Sequence, residues 1–400
     1  MKILQVIPYF EWSYGGPVRV LYQLSRELAK RGHDVTIYTT DVGRRNPLTE
    51  KQKIRFDSNS KVQYFKCQNN WIADRLKLHV SFQMFSAIKD NLTDFDVVHL
   101  HEARGIPNLL VWYYAKKFGI PYILQARGSL PKTIPGQNVG LVCLKIMFDT
   151  ILGNNILRDT SKVIALCRIE AEQYMDMRVP EEKIAFIPNG IDLSDYANLP
   201  HKGSFKEKFN IPKDTKIVLY LGRIHKIKGI DFLVKAYAHL IEKFNNVLLV
   251  VVGPDDGYLD KLRGLISSLN IVDDVLFTGP LYGKDKLEAY VDADIFVLPS
   301  RYETFPNVVL EAYACSKLVI ASDVMSIPDI VLHGKTGLLF QAGDSQELTK
   351  MLLYALTHLE EAEKMGHRAR KFVEEKYSID KVVDSLKFLY ETILKEKQGK

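Results

Sequence analysis

The sequence is poor in the residues that announce covalent or metal-held structure. Its 400 residues include four cysteines, Cys67, Cys143, Cys167 and Cys315, scattered without C-x-x-C spacing. That pattern excludes a disulfide framework and a cysteine zinc site, and it fits a reducing compartment. No G-x-G-x-x-G follows an apolar run, which argues against a nicotinamide or flavin site. There is no run of 18 uncharged apolar residues, and the start, Met1-Lys-Ile-Leu-Gln-Val-Ile-Pro8, is too short for a signal peptide. A cytoplasmic protein that does not span a membrane is therefore expected. Repeats and low-complexity tracts are missing. So is any zinc finger or aromatic-interleaved basic motif, and nucleic acid is not an expected partner.

Length and composition bound the rest. Four hundred residues exceed what one core usually supports, so two domains are expected. The 46% hydrophobic and 26% charged fractions are ordinary for a globular chain. The net charge of +6 is unevenly spread: residues 1–190 carry 26 Lys and Arg against 18 Asp and Glu, the remainder 28 against 30. A basic first half suits an anionic substrate or membrane leaflet, and it also keeps a protein dissolved.

Short apolar runs alternate with helical patterns. In the first half, strands are expected at Ile3–Ile7, Val35–Thr39, Val62–Phe65, Val97–His101, Tyr122–Gln125, Lys162–Leu166 and Ile184–Ile187. The pattern restarts at Ile217–Leu221, Val247–Val252, Val275–Thr278, Ile295–Leu298, Leu318–Ala321 and Gly337–Phe340. Strand–helix alternation argues for parallel sheets covered on both faces, hence two Rossmann-like halves breaking near Pro188-Asn-Gly-Ile-Asp192. The end of the chain, from Asp344, reads as two or three helices.

Ligands of open parallel sheets sit beyond the carboxyl ends of the strands, which selects a few residues. After the first strand comes Gly15-Gly16-Pro17, where glycine lets backbone approach a ligand and a helix start aims its amides there. After the first strand of the second half come Arg223 and Lys228, two cations able to neutralise a diphosphate. After Ile295–Leu298 comes Ser300-Arg-Tyr-Glu-Thr-Phe-Pro-Asn-Val-Val-Leu-Glu-Ala-Tyr-Ala314, a turn into a helix with Thr304 as its expected cap. Its Glu303 and Glu311 suit sugar hydroxyls, and the helix start between them suits a phosphate. Taken alone, the stretch reads better as an ordinary strand, turn and helix with two solvated glutamates. Convergence of three such loops on one kind of rim favours a nucleotide-sugar site.

Other motifs carry less. His333-Gly-Lys-Thr336 contains the end of a phosphate loop, but Asp329 stands where its first glycine should be, so a turn is expected. Asp94 with Asp96, and Asp292 with Asp294, precede strands at the opposite edge, and are read as solvated caps rather than metal ligands. His99 and His101 share one face of a strand without an evident third zinc ligand, so one of them is expected to line the ligand cleft.

With these residues in view, the sequence resembles the retaining glycosyltransferases of family 4. The resemblance spans nearly the whole chain: Gly15-Gly16-Pro17, Leu28-Ala-Lys-Arg-Gly-His-Asp-Val35, His99-Leu-His101, Ile187-Pro-Asn-Gly-Ile-Asp192, Gly222-Arg223 with Lys228, Val252-Gly-Pro-Asp255, Phe277-Thr-Gly279, Pro299-Ser-Arg-Tyr-Glu303, and the E-x7-E pair Glu303 and Glu311. It implies an α/β GT-B fold, two Rossmann-like domains facing each other across a cleft. Residues 1–188 would bind the acceptor, 189–376 the nucleotide-sugar donor, and a helix in 377–400 would cross back to the first domain. The resemblance puts Arg223, Lys228, the Gly16 amide and the amides at Asn307 and Val308 on the donor diphosphate. Glu311 falls on the ribose, the base near Gly279–Leu281, and Glu303 with the backbone of Phe305 and Pro306 on the transferred sugar. Catalysis is then carried by Glu303, Arg223 and Lys228, with no cofactor and no metal; retention follows from same-face attack, the leaving diphosphate taking the acceptor proton. Many members have His-Gly after the fifth strand, where this chain has Gln125-Ala-Arg127-Gly128, so Arg127 or His101 covers the acceptor side. Two other sites depart: Met325-Ser-Ile-Pro-Asp329 replaces Gly-Gly-x-Pro-Glu, and Ser316 replaces a glycine.

The implied partners are a nucleotide sugar and a glycan, lipid-linked or small hydroxyl acceptor, in envelope polysaccharide or glycolipid synthesis. Two rival readings have distinct requirements. An enzyme with a phosphate or sugar-phosphate acceptor needs an anion-binding cluster in the first domain. A non-catalytic binding protein would have lost Glu303, Arg223 or Lys228. The apolar stretch Val139–Leu152, with only Lys145 and Asp149 charged, is open to two readings: a helix lying on an anionic bilayer at the inner face of the cell membrane, or a core helix of the first domain.

Overall fold

The computed structural model describes residues 1–43, 46–56, 60–76, 78–131, 133 and 139–398. The chain divides into two compact units, one made of Met1–Gly190 with Ile379–Lys400 and the other of Ile191–Ser378. Each is built on one all-parallel sheet. In the first, β1 (Lys2–Tyr9), β2 (Asp34–Thr40), β3 (Lys61–Phe65), β4 (Val97–His101), β5 (Tyr122–Gln125), β6 (Lys162–Ala165) and β7 (Ile184–Phe186) lie in the order β3-β2-β1-β4-β5-β6-β7. In the second, β8 (Lys216–Leu221), β9 (Val247–Val252), β10 (Val275–Gly279), β11 (Ile295–Leu298), β12 (Leu318–Ser322) and β13 (Gly337–Phe340) lie in the order β10-β9-β8-β11-β12-β13.

The central strands are continuous apolar runs because helices cover both faces: every residue of β4, β5, β11 and β12 is buried. Each sheet reverses direction of growth once, between β1 and β4 and between β8 and β11. In such sheets these switch points open a crevice at the strand ends. The segments after β1 and β4 in the first unit, and after β8 and β11 in the second, are the ones so placed, and the segment after β5 lies one strand further along the same rim.

Helix Ile379–Gln398 belongs to the first unit, where Ile379, Val382, Val383, Leu386, Leu389, Tyr390 and Ile393 join Ile3, Leu28, Val35 and Val97 in one core. Those seven positions recur at helical spacing, so one apolar stripe does the docking.

Three local expectations change. The helix Asn307–Ala314 starts from Pro306, not Thr304, and no side chain caps it. Asp292 is buried rather than solvated, its two carboxylate oxygens accepting from the Gly203 and Lys206 amides. The stretch from Val139 is not a core helix: helix Val139–Phe148 buries none of its residues. It continues through one wide turn, Asp149–Gly153, into helix Asn154–Asp159. The turn is pinned by Arg104, whose Nε and Nη2 meet the two oxygens of buried Asp149 at 2.8 and 2.6 Å. The Gly-Lys-Thr motif forms a turn before β13, with the Thr336 hydroxyl accepting from Leu332 N–H.

Candidate active site

In the second unit the loops after β8 and β11 are stitched together by backbone. Gly229 has φ 64°, and a Cβ there would stand 1.9 Å from the carbonyl oxygen of Pro299. Only glycine permits that approach. Arg301 N–H donates to Ile227 O at 2.8 Å, and its guanidinium donates to Lys226 O and, through both prongs, to Asp231 at 2.7 and 2.6 Å. His225 Nδ1 accepts from Ile227 N–H at 3.1 Å and fixes the turn that carries Lys228. Its pKa is lowered by burial first, with Arg223 and Lys228 pushing the same way and Asp256 opposing.

The result is a contact between residues 75 apart: Lys228 Nζ lies 2.6 Å from Glu303 Oε2, both side chains largely withdrawn from water. An ammonium has three donors, so Lys228 can hold Glu303 and still address a phosphate. Arg223 stands at the more exposed end of the loop, with Nη1 on Asp256. Tyr220, whose hydroxyl donates to Arg223 O at 2.9 Å, sits under both, and burial followed by the Glu303 charge raises its pKa.

Glu311 is held from an unexpected side. It is 7% exposed, with Oε1 accepting from Lys286 Nζ at 2.7 Å and Oε2 from the Tyr290 hydroxyl at 3.0 Å. Lys286 and Tyr290 lie on helix Gly283–Asp292, four residues apart on one face. A carboxylate accepts about four hydrogen bonds, so these two orient it and leave capacity for hydroxyls. Phe305 is buried with its ring against Tyr377, centroids 6.1 Å apart, so the backbone and not the ring is what that position presents. Pro306 is buried beside it; Asn307 and Val308 open the helix, and Leu281 follows β10 half-buried.

The first unit carries Gly16, His101 and Arg127. Gly16 begins helix Gly16–Lys30 after Gly15, at φ 81°. Glu102 and Arg127, the residues just past β4 and two past β5, adopt φ 70° and 51°. Such strain in non-glycine residues collects at functional sites. His99 and His101 are both wholly buried and their rings stack at 4.2 Å, so neither lines a cleft as an exposed side chain. Instead both belong to one chain of hydrogen bonds whose donors all run one way, His101 within it and His99 at its end. Arg127 Nε donates to His101 Nδ1 at 3.0 Å, so His101 carries its proton on Nε2 and gives it to Gln5 Oε1 at 2.6 Å. Gln5 Nε2 then donates to the Tyr390 hydroxyl at 3.3 Å, and that hydroxyl meets His99 Nδ1 at 2.8 Å. Burial, then the Arg127 charge, keeps His99 well below the usual imidazole range; burial, His99 and Arg127 do the same to His101. His101 is therefore neutral with both nitrogens engaged, and acts on a ligand only through Arg127.

Sequence reasoning brought forward Lys228, Glu303 and Glu311, which the fold gathers on one unit, and missed Lys286, Tyr290, His225, Asp256, Gln5, Tyr390 and Glu102. Arg301 stood inside the motif, and its cation between two loops was the only available signal.

Two family models match the chain: one described as Glycosyltransferase Family 4 over residues 14–195, the other as Glycosyl transferases group 1 over residues 202–372. N-acetyl-alpha-D-glucosaminyl L-malate synthase of Bacillus anthracis is 27% identical over 404 residues, covering 97% of each chain. D-inositol 3-phosphate glycosyltransferase of Actinosynnema mirum is 30% identical over 257 residues, 61% of this chain and 60% of its own. Among solved structures, the Anabaena protein HepE, determined in complex with UDP and glucose, superposes with a TM-score of 0.79 at 18% identity, covering 98% of this chain and 100% of that one.

Proposed function

The chain belongs to glycosyltransferase family 4, and from that premise we propose that it moves a sugar from a nucleotide diphosphate sugar to a hydroxyl acceptor with retention at the anomeric carbon. The observation that carries this reading is the Lys228–Glu303 pair at the switch point of the second sheet. Lys228 and Arg223 stabilise the charge developing on the departing diphosphate, and fixed cations in a partly dry site do so without reorganisation. They supply there the positive charge that a divalent ion provides in other transferases, so the reaction needs no metal. The amides of Asn307 and Val308 add donors to the same phosphates, and the Gly16 amide at a helix start of the first unit is suited to an anion in the same way. Glu311, aimed by Lys286 and Tyr290, takes the ribose hydroxyls; Leu281 borders the base. Glu303 takes a hydroxyl of the transferred hexosyl group, alongside the backbone of Phe305 and Pro306. With Glu303 tied to Lys228, the departing diphosphate is the group that receives the acceptor proton.

UDP is the first nucleotide to test, because the Anabaena protein of the same fold was solved with it. The acceptor is a glycan, a lipid-linked sugar or a small molecule, met on the first unit beside Arg127 and His101. Synthesis of an envelope polysaccharide or glycolipid is the setting that fits, and Staphylococcus aureus CapM, a capsular polysaccharide glycosyltransferase 31% identical over 215 residues, belongs to such a process. Peripheral attachment to an anionic bilayer from the cytoplasmic side accompanies it. Helix Val139–Phe148 and its continuation expose Val139 at 76%, Met147 at 54% and Ile151 at 59%, on the more basic half of the chain.

Thermal-shift screening of nucleoside diphosphates and then nucleotide sugars identifies the donor, since a ligand of the folded state raises its melting point. Glu303→Ala, Lys228→Ala and Arg223→Ala are each expected to lower transfer from that donor by at least about a hundredfold in a folded protein. Near-normal turnover of a folded Glu303→Ala would refute the assigned site.

A further inference from the structure

Arg127 is half-buried, with Nη2 shut off from water, and the fold gives its guanidinium no ion pair among the described residues. Its two hydrogen-bond partners are neutral, His101 Nδ1 at 3.0 Å and Asn189 Oδ1 at 3.2 Å, and Nη2 is buried with no partner. Of five N–H donors, two are used. No carboxylate of the described residues lies within ion-pair distance of it. The nearest that could compensate are committed elsewhere: Glu170 accepts from the Gly128 and Leu166 amides at 2.8 Å each, and Glu102 accepts from the Tyr9 hydroxyl. A cation drawn partly out of water without a paired charge is costly, and an anionic ligand would offset that cost. The cost shows in burial drawing the Arg127 pKa down to about 10. The residue is also strained at φ 51° and stands beyond β5, at the carboxyl rim of the first sheet.

We infer that the Arg127 fork is a subsite for an oxyanion, a carboxylate or a phosphate, carried by one of the substrates. The oxyanion displaces the long Asn189 contact and meets Nη1 and Nη2 side by side, the bidentate geometry that a guanidinium offers and an ammonium does not. The wire from Arg127 through His101, Gln5 and Tyr390 fixes the plane of the fork by holding Nε. Tyr390 and Gln5 are thus positioning residues, and the C-terminal helix supplies the hydroxyl that ends the wire on His99. The placement of this subsite in a sugar-transfer reaction rests on the proposed function; the binding of an oxyanion to Arg127 does not.

The test starts from the full chain carrying Arg223→Ala and Lys228→Ala, which removes the phosphate-directed cations of the second unit. Thermal unfolding is followed by tryptophan emission, since Trp12, Trp71 and Trp112 all lie in the first unit. Inorganic phosphate and malonate are titrated against chloride at matched ionic strength. One or both are expected to raise the midpoint, and Arg127→Gln added to that background weakens the response at least about tenfold. Arg127→Lys keeps the charge and loses the fork, with a similar loss expected, and it serves if the glutamine variant does not fold. Tyr390→Phe weakens the response several-fold while Tyr390→His, which keeps a hydrogen-bonding group, restores part of it. An equal response with and without Arg127, or no response beyond chloride, overturns the inference. Two arms locate the oxyanion in the chain with its phosphate cations intact. If it is on the donor sugar, UDP-glucuronate binds about tenfold tighter than UDP-glucose and Arg127→Gln levels the two. If it is on the acceptor, the two bind alike and transfer to an anionic acceptor is the one lost. Failure of every nucleotide sugar to bind would count against the proposed function and leave the anion titration standing.

Discussion

Two stacked imidazoles buried beside a guanidinium make the first unit sensitive to acid, by an amount that can be worked out. His99 and His101 are neutral in the folded chain, held well below the 6.5 of an ordinary imidazole chiefly by burial. Unfolding releases both to water, where they take up protons as pH falls through 6.5. The unfolded chain then binds more protons than the folded one, so stability rises with pH and is lost as pH drops below about 6.5 towards the folded values. A single such histidine, still neutral when folded at pH 5.5, costs about 1.4 kcal/mol between pH 7.5 and 5.5, and the pair about 2.7 kcal/mol. His33, lowered mainly by burial, acts in the same direction. Glu170 opposes them in sign: burial raises its pKa, so the folded chain gains its proton first, and the stability this group contributes is lost as pH rises through its folded value. Guanidinium chloride unfolding, read from the three tryptophans of the first unit, isolates the effect. His101→Gln leaves Glu170 and His33 in place and is expected to reduce the loss between pH 7.5 and 5.5 by about 1.4 kcal/mol, roughly half of the pair's share. An identical pH dependence in the parent and in His101→Gln would refute the neutral, doubly bonded assignment.

The other predictions concern the second unit and the exposed helix. Gly229→Ala forces a Cβ onto Pro299 O and a left-handed φ onto alanine; a loss of more than about 3 kcal/mol in calorimetry is expected, with weaker donor binding as Lys228 parts from Glu303. Lys286→Met leaves Glu311 buried without its cation and is expected to destabilise by about 3–5 kcal/mol, while Tyr290→Phe costs about 1 kcal/mol; equal effects would mean Lys286 does not compensate Glu311. Vesicles containing anionic lipid are expected to co-sediment the chain at low salt, less so at high salt, and less again for Met147→Glu with Ile151→Glu; sedimentation equal to that with neutral vesicles would sink membrane attachment.

The strands were legible because each is a local event. Five of them, β4, β5, β9, β11 and β13, run between the residues expected, and the others differ by one or two at an end. A run such as Val247–Val252 is apolar throughout because both of its faces are covered, and periodicity alone reveals that. The rim loops followed from the rule that places ligands at strand ends. Thr304 failed as a cap because the chain enters the helix through Pro306, whose carbonyl already accepts from Val309 N–H. Asp292 was misread because the helix it caps, Ser204–Lys208, lies some ninety residues earlier, beyond any local window.

What the sequence by itself determined is therefore the alternation of strand and helix, the two-fold division, the family, and the residue types offered at the strand ends. What only the tertiary structure decided is which of those residues are held, and by what. Gln5 meets Tyr390 across 385 positions and Lys286 meets Glu311 across 25, contacts fixed by how a helix stripe lands on a sheet rather than by any spacing in the chain. Hydrogen bonds form over about 3 Å, whereas a sequence pattern places a side chain only on a face. The same limit hid the character of Arg127. Its type and its rank after β5 were visible from the start, but that no carboxylate of the described residues pairs with it is a fact about the elements packed around it.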